Sequence, residues 1–298
     1  MIKKCLFPAA GYGTRFLPAT KSMPKEMMPV VNKPLIEYGV EEAIQAGMES
    51  LCIVTGRGKH TLMDHFDKNY ELEHQIEGTN KEELLVDIRN IIDSANFTYI
   101  RQREMKGLGH AILTGRELVG DEPFAVVLAD DLCVNPEGDG VLQQMANLYK
   151  QFRCSIVAVQ EVPRDQTHKY GVIAGEAIRD DLLRINDMVE KPAPGTEPSN
   201  LAIIGRYILT PDIFELIEST EPGKGGEIQI TDALLQQAKK GCVIAYKFKG
   251  QRFDCGSVEG YIDATNFCFN EYYLKDEQAE LKKQPTERTE KKEDLALV

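Results

Sequence analysis

The stretch that decides the fold runs from Cys5 to Pro34 and reads CLFPAAGYGTRFLPATKSMPKEMMPVVNKP. It opens with an apolar run, Cys5 to Ala10, that has the length of one buried strand. Gly11 and Gly13 follow, and glycines permit positive φ angles and a close approach of the backbone to a ligand. A strand that leads straight into such a loop leaves backbone N–H groups facing open space, where an anionic phosphate can bind. The stretch therefore predicts a buried strand followed by a phosphate-binding loop.

The same loop is basic and rich in proline. Arg15, Lys21 and Lys25 lie within eleven residues of one another, and prolines at positions 18, 24 and 29 interrupt them. Because proline fixes φ, the loop should be stiff and should hold its cations in place. A basic cluster is often just a solvated surface turn, but such a turn does not need two spaced glycines and this density of prolines. We therefore predict a rigid cationic loop for a polyphosphate.

Two common phosphate-binding motifs do not fit this loop. The dinucleotide-binding fingerprint requires a third glycine three residues after Gly13, where this chain has Phe16. A P-loop requires glycine immediately before its lysine and hydroxyl residue, whereas Thr20 precedes Lys21 and Ser22. A nicotinamide-dependent dehydrogenase is therefore the weakest interpretation of the glycine loop.

Composition narrows the class of protein and its partners. The 298 residues are 42% hydrophobic and 28% charged, which is ordinary for a globular protein that buries a substantial core. The net charge of −12 argues against a nucleic-acid partner, because a backbone-binding surface normally carries a basic excess. No apolar run approaches the roughly 20 residues that cross a bilayer, and Met1 to Lys4 lead into a strand without a cleavage pattern. We expect a cytoplasmic protein that does not enter a membrane.

The seven cysteines indicate free thiols. Their number is odd and no two are spaced as Cys-x-x-Cys, so a disulfide framework and a zinc site are both disfavoured.

The order of the predicted elements indicates an α/β fold. Apolar runs at 51–56 and 97–101 have strand length, and helical periodicity covers 34–48 and 81–95, the second with Leu84 on its apolar face. Strands that alternate with helices need crossover connections, so we predict a doubly wound, Rossmann-like, mostly parallel sheet.

From about residue 154 the pattern changes. Strand-like runs follow with little helix between them, at 155–162, 171–178, 182–189 and 201–209. Helices are predicted at 138–152, 211–220 and 230–240, with Thr231 or Asp232 able to cap the third. A further strand is predicted at 243–249, and a last helix should end near Lys275. We therefore predict one domain over residues 1–275 with a mixed, β-rich extension, followed by a charged, mobile tail at 276–298.

Two adjacent acids form the second strong signal. Residues 124–131 read FAVVLADD, so Asp130 and Asp131 should stand at the carboxyl end of a buried strand. Burying unpaired carboxylates is costly, and a Mg²⁺ ion shared with substrate phosphates would neutralise them. For Asp131, capping of the following segment is an equally good interpretation.

Four further candidates lie at or after the ends of strand-like runs. Gln102 and Gly107 should lie beside the glycine loop, because ligands bind at the carboxyl ends of parallel strands, and a glutamine amide suits the edge of a pyrimidine base. A helix start with spare glycines is the structural alternative, and His110 is given no role. Glu190 and Lys191 can accept from sugar hydroxyls and neutralise a phosphate, or can form an ordinary exposed ion pair.

These motifs resemble those of the sugar-1-phosphate nucleotidyltransferases. That family carries an apolar residue before A-G-x-G-T-R, then P-K with a later proline, then K-P, all of which are present between Leu6 and Pro34. Within the family, Pro18-Ala-Thr-Lys and Pro24-Lys-Glu-Met resemble bacterial members that use UTP and glucose 1-phosphate. Matching blocks continue from Lys4 to about Tyr272.

The resemblance implies a set of site residues. It places the nucleotide at Ala9, Ala10, Gly11, Gly13, Thr14, Glu26, Gln102, Gly107 and Asp131. It places the sugar phosphate at Gly171, Glu190, Lys191 and Gly205, and magnesium at Asp130 and Asp254. Arg15, Lys25, Asp130 and Lys191 are the implied catalytic residues. Residues 1–153 would then serve mainly the nucleotide and 154–275 mainly the sugar phosphate.

The implied reaction is transfer of a uridylyl group from UTP to glucose 1-phosphate, which yields UDP-glucose and pyrophosphate with Mg²⁺ as cofactor. Similarity suggests a homodimer or homotetramer. A transferase for another nucleotide, such as dTTP, or another sugar phosphate is the first alternative, and a catalytically silent regulatory paralogue is the second. The presence of Thr14, Arg15, Lys25, Asp130, Asp131 and Lys191 favours an active enzyme.

Overall fold

A computed structural model describes residues 1–275, apart from the side chain of Lys224, and the predicted tail at 276–298 lies outside the described residues. The strands are β1 (Lys4–Ala9), β2 (Pro29–Val30), β3 (Lys33–Pro34), β4 (Ser50–Thr55), β5 (Asn96–Arg101), β6 (Phe124–Val127), β7 (Asp131–Val134), β8 (Ser155–Glu161), β9 (Gly171–Arg179), β10 (Leu182–Glu190), β11 (Leu201–Leu209), β12 (Val243–Lys247) and β13 (Gln251–Asp254). The helices are α1 (Leu35–Gln45), α2 (His60–His65), α3 (Tyr70–Ile76), α4 (Val86–Ser94), α5 (Gly107–Thr114), α6 (Arg116–Val119), α7 (Val141–Phe152), α8 (Ile213–Glu218), α9 (Ile230–Lys240) and α10 (Val258–Cys268), which continues as a π-helix over Phe269–Tyr273. The predicted α/β class is confirmed.

One mixed sheet runs through the described chain in the order β5-β4-β1-β6-β11-β8-β12-β10-β9. The first four strands are parallel neighbours, joined by helical crossovers. β11 then enters antiparallel to both β6 and β8, and β10 lies antiparallel to β12 and β9. The expected mostly parallel arrangement therefore holds for the first four strands and for the β8–β12 pair, whereas β9, β10 and β11 pair antiparallel with their neighbours.

Each face of the sheet has its own apolar core. Alternate residues of β1 divide between the cores: Cys5, Phe7 and Ala9 pack on the side of α1 and α7, and Leu6 packs on the side of α5, α8 and α9. This division follows from the period of two along a strand. The central strands are buried on both faces, which explains why they read as continuous apolar runs rather than as alternating ones.

Most predicted elements are present, and three details are wrong. The predicted helix at 81–95 begins as a 3₁₀ turn over Glu82–Leu85, and Leu84, which was assigned to its apolar face, is 77% exposed. The residue before α9 is Gln229, and no side chain caps that helix, so neither Thr231 nor Asp232 does. The strand predicted to reach 249 ends at Lys247 and is followed by the separate strand β13.

No helix among residues 1–275 combines the length and apolar character needed to span a bilayer.

Candidate functional site

The glycine loop folds back on itself directly after β1. Three 3₁₀ turns, Thr14–Phe16, Ala19–Lys21 and Lys25–Met27, follow one another between prolines. Gly13 has a φ of 64°, and a Cβ there would lie 3.1 Å from Cβ of Lys25. Thr20 Oγ1 also donates to the carbonyl of Gly13 at 2.7 Å. Gly13 is therefore required so that the loop can bring Lys25 back beside its own start.

The returning lysine meets the mid-chain acid. Lys25 Nζ lies 2.5 Å from Asp130 Oδ2, across 105 residues of sequence. Burial raises the pKa of Asp130, but the Lys25 ammonium, a backbone hydrogen bond and the Arg15 guanidinium together outweigh burial and bring this pKa below its ordinary value. Asp130 is thus an anion that lies beside a cation. A ligand that brings its own charges could replace either partner of this ion pair.

Two more predicted residues surround the same point. A Cβ added at Gly256 would lie 3.1 Å from Arg15 Nη1, 3.2 Å from Asp130 Oδ2 and 3.0 Å from Asp254 Oδ1. Arg15 Nη1 also donates to the Gly256 carbonyl at 3.3 Å. The structure therefore brings Arg15, Lys25, Asp130 and Asp254 into one cluster, where a glycine leaves room between the acids.

Asp131 points away from this space. Its Oδ2 accepts from the backbone N–H of Gly205 at 2.8 Å, and its Oδ1 accepts from the guanidinium of Arg252. Arg252 comes from β13, which pairs antiparallel with β7 so that Asp254 stands opposite Asp131. Both oxygens of Asp131 thus have protein partners, which favours a positioning role over direct contact with a nucleotide.

Arg206 fixes the turn that carries both acids. This side chain on β11 is 1% exposed, and its Nε and Nη2 donate to Glu42 Oε2 at 2.9 and 2.7 Å. Its Nη1 donates to the carbonyls of Asp131, Leu128 and Gly205 at 2.8, 3.3 and 3.3 Å. The buried guanidinium is therefore fully satisfied and holds the backbone of the acid turn against α1.

Tyr170 links the acids to the predicted sugar-phosphate residues. Its hydroxyl donates to Asp254 Oδ2 at 3.0 Å, and its ring lies 5.1 Å from the guanidinium carbon of Arg252. The Tyr170 carbonyl accepts from the N–H of Lys191 at 2.9 Å, and Lys191 has a φ of 46°. The start of β9 and the end of β10 are thereby tied to the acid cluster.

The predicted sugar-phosphate residues are only partly grouped. Gly171 pairs with Glu190 across β9 and β10, and Lys191 Nζ lies 3.1 Å from Glu190 Oε1. Thr231, the side chain predicted to cap α9, instead donates to Glu190 Oε2 at 3.2 Å. Gly205 packs on the acid turn, where a Cβ would lie 2.8 Å from Asp131 Oδ2. Close packing thus explains the glycine at 205 without a ligand.

Glu26 of the glycine loop forms a buried ion pair with Lys59, which follows β4. Glu26 and Lys59, 1% and 6% exposed, are joined by Nζ to Oε2 at 2.7 Å. Burial lowers the pKa of Lys59, and the Glu26 carboxylate only partly opposes this shift. The other oxygen, Glu26 Oε1, is buried and has no hydrogen-bond partner. A buried acceptor without a donor is costly in a folded protein, so Glu26 is suited to accept from a ligand.

The remaining predicted residues follow the carboxyl edge of the sheet. Ala9 and Ala10 are buried at the end of β1, and Gly11 and Thr14 are exposed beyond it. Gln102, which is buried, donates its backbone N–H to Thr55 at the end of β4.

Close packing explains why residue 107 is a glycine. Its φ is 88°, and a Cβ there would meet the Ile228 carbonyl at 2.8 Å, so this glycine packs α5 on the loop before α9.

Sequence analysis missed several of the side chains that organise the site: Lys59, Tyr170, Arg206 and Arg252. One of them carried a usable signal. Arg206 stands within the apolar run 201–209, where a buried charge requires partners. The other three occur in segments of mixed polarity, where no local pattern distinguishes them from surface residues.

Comparison with known proteins identifies the family of the chain. Residues 6–271 match the nucleotidyl transferase family. The chain is 76% identical over 273 residues to the UTP–glucose-1-phosphate uridylyltransferase of Pseudomonas aeruginosa PAO1, which covers 92% of this chain and 98% of that one. A UDP-glucose pyrophosphorylase structure in complex with UDP-glucose is similar with a TM-score of 0.85 and 60% identity, covering 92% of this chain and 100% of that one. A UTP-bound UGPase from Acinetobacter baumannii has a TM-score of 0.84 and 38% identity, covering 95% and 100%. The chain therefore belongs to the nucleotidyl transferase family and, within it, to the UTP–glucose-1-phosphate uridylyltransferases.

Proposed function

We propose that the chain transfers the uridylyl group of UTP to the phosphate of glucose 1-phosphate, forming UDP-glucose and releasing pyrophosphate. The observation that carries this proposal is the meeting of the glycine loop with the acid strand, seen in the 2.5 Å contact between Lys25 Nζ and Asp130 Oδ2. A loop of cations and a pair of carboxylates around one open point suit a nucleoside triphosphate together with a metal ion. Relatives named as uridylyltransferases, and similar structures that hold UDP-glucose and UTP, support the choice of substrates.

The chemistry requires positioning rather than a protein base. A phosphate oxygen of glucose 1-phosphate is already an anion, so it can attack the α-phosphorus of UTP in line while the bond to pyrophosphate breaks. The enzyme must align two anions that repel each other and offset charge on the leaving group. Arg15 and Lys25 are the cations proposed for the triphosphate and the departing pyrophosphate.

Asp130 and Asp254 are the residues proposed to hold Mg²⁺. Among residues 1–275, no three acidic, histidine or cysteine side chains are grouped closely enough to bind a metal without help. Magnesium commonly uses one or two carboxylates and takes its remaining ligands from phosphates and water, so two acids facing one gap fit this ion. When bound, the ion would neutralise charge on the phosphates.

Glu190 and Lys191 are the residues proposed for the acceptor sugar phosphate. The Glu190 carboxylate can accept from sugar hydroxyls, and the Lys191 ammonium can move from Glu190 to a phosphate. Lys191 is half exposed and lies at the end of β10, where the hydrogen bond of its N–H to Tyr170 fixes its backbone near the acids.

The test is an assay with UTP, glucose 1-phosphate and Mg²⁺ that measures pyrophosphate, repeated with dTTP and with Asp130→Asn. We expect turnover with UTP, less with dTTP, and a loss of about 100-fold or more in Asp130→Asn at saturating magnesium. Asp121→Asn changes an exposed acid and is the matched control. Equal turnover by Asp130→Asn would refute the assignment of this acid, and no turnover by the parent would favour a silent paralogue.

Location and assembly stay predictions. We propose a cytoplasmic homodimer or homotetramer, to be checked by cell fractionation and by light scattering of the purified protein.

A further inference from the structure

His110 contacts the side chain of the predicted base-binding glutamine. Gln102 Nε2 lies 2.8 Å from His110 Nδ1, which joins the end of β5 to the first turns of α5. The backbone of Gln102 is fixed independently, because its N–H donates to the Thr55 carbonyl at 2.9 Å. Main chain and side chain of this 4% exposed residue are therefore both held before any ligand arrives.

The state of the imidazole decides what this contact does. Burial and the Lys106 ammonium lower the pKa of His110, and the Glu104 carboxylate opposes them only partly. The ring is therefore neutral near pH 7. In the tautomer with the proton on Nε2, Nδ1 accepts from the Gln102 amide nitrogen that lies against it. That tautomer uses one N–H of Gln102 and leaves Oε1 and the second N–H for a ligand.

We infer that His110 is a positioning residue that sets which way the Gln102 amide faces, and that it thereby favours uracil over cytosine. The inference rests on the proposed function, with Gln102 at the base. Uracil offers a ring N–H donor beside a carbonyl acceptor, whereas cytosine offers a ring nitrogen acceptor beside an amino donor. An amide held in one orientation matches the first pattern and opposes the second. Without His110, the amide can rotate by half a turn and serve either base.

The measurement is the ratio of kcat/KM for UTP to that for CTP, with glucose 1-phosphate saturating. His110→Leu removes the acceptor and keeps most of the volume, and we expect the ratio to fall about tenfold, mainly through KM. His110→Asn keeps an oxygen acceptor near the position of Nδ1 and should retain most of the parent ratio. His74→Ala, at a histidine whose side chain is 87% exposed, should leave the ratio unchanged.

Two further results separate this role from a structural one. In a Gln102→Ala background, His110→Leu should not change the ratio again, because the two residues act through one contact. If His110→Leu does not fold, the UTP and CTP dissociation constants of His110→Ala supply the same comparison. A ratio within twofold of the parent in a folded His110→Leu variant overturns the inference. Failure of the parent to use UTP would instead overturn the proposed function.

Discussion

Two buried ion pairs, Arg206–Glu42 and Lys59–Glu26, differ in how completely their hydrogen bonds are satisfied. Arg206 makes five hydrogen bonds, two to Glu42 and three to backbone carbonyls of the acid turn. Lys59 and Glu26 share one, and Glu26 Oε1 has no partner. The comparison teaches that a buried ion pair whose hydrogen bonds are all made stabilises the fold. A buried ion pair that leaves an acceptor unpaired near the carboxyl ends of the strands indicates instead where a ligand is expected.

The largest expected effect is on the saturated pair. Arg206→Met should lower the free energy of unfolding by about 5 kcal/mol, the upper end for breaking a buried pair, because Glu42 and three carbonyls lose their donor together. Urea unfolding followed by circular dichroism measures this change. Arg206→Met/Glu42→Gln should recover only part of the loss, since the carbonyls stay unpaired. A loss below about 2 kcal/mol in the single variant would contradict the conclusion that the hydrogen bonds of Arg206 stabilise the fold.

A smaller effect on stability is expected at the unsaturated pair. Lys59→Met should cost about 3 kcal/mol, because one hydrogen bond is lost rather than five. The double variant Lys59→Met/Glu26→Gln removes both charges and should recover most of this stability, while its KM for UTP stays raised about tenfold. Recovery of both properties would show that the pair is only structural. The experiment needs urea unfolding and steady-state kinetics on the same samples.

The third effect concerns Tyr170, which links the acid cluster to the end of β10. Tyr170→Phe removes the hydroxyl that donates to Asp254 and leaves the ring over Arg252. We expect kcat/KM to fall by about 2–10-fold and the magnesium concentration for half-maximal rate to rise, as loss of one hydrogen bond implies. Tyr70→Phe, at a tyrosine that is 79% exposed, is the control. An unchanged magnesium dependence would remove Tyr170 from the positioning of Asp254.

The smallest expected effect on stability is at an exposed ion pair. Lys3 and Glu49 form an ion pair whose side chains are 39% and 63% exposed. Lys3→Ala should therefore change the free energy of unfolding by about 0.5 kcal/mol or less, since water and salt screen the pair. A larger loss in urea unfolding would mean that burial does not separate strong from weak pairs in this protein.

Sequence patterns predicted the regular elements well where the pattern was long. Helix α9 has the predicted bounds of 230–240, and β8 to β11 deviate from their predicted runs by one residue at most. Long amphipathic or apolar runs specify their own structure because one face must be buried. The four-residue strands β7 and β13 were not predicted, since their pairing joins residues 117 to 123 positions apart and leaves no periodic signal.

The site could be predicted from the sequence where its residues stand close together along the chain. The glycines and cations of the first loop, and the acids after β6, stand in one stretch each, and the structure brings Arg15, Lys25 and Asp130 together. What holds them was not predictable. Arg206 and Arg252 act through partners that the fold supplies from distant segments, so their contribution cannot be read before the sheet order is known.

Strand β11 has a consequence for the autonomy of the first half of the chain. It comes from residues 201–209, yet it lies antiparallel against β6, whose four residues are all buried. A fragment of residues 1–153 would expose the backbone donors and acceptors of β6 and the apolar surface around them. Such an edge recruits other strands, so the fragment should aggregate rather than behave as a free nucleotide-binding module.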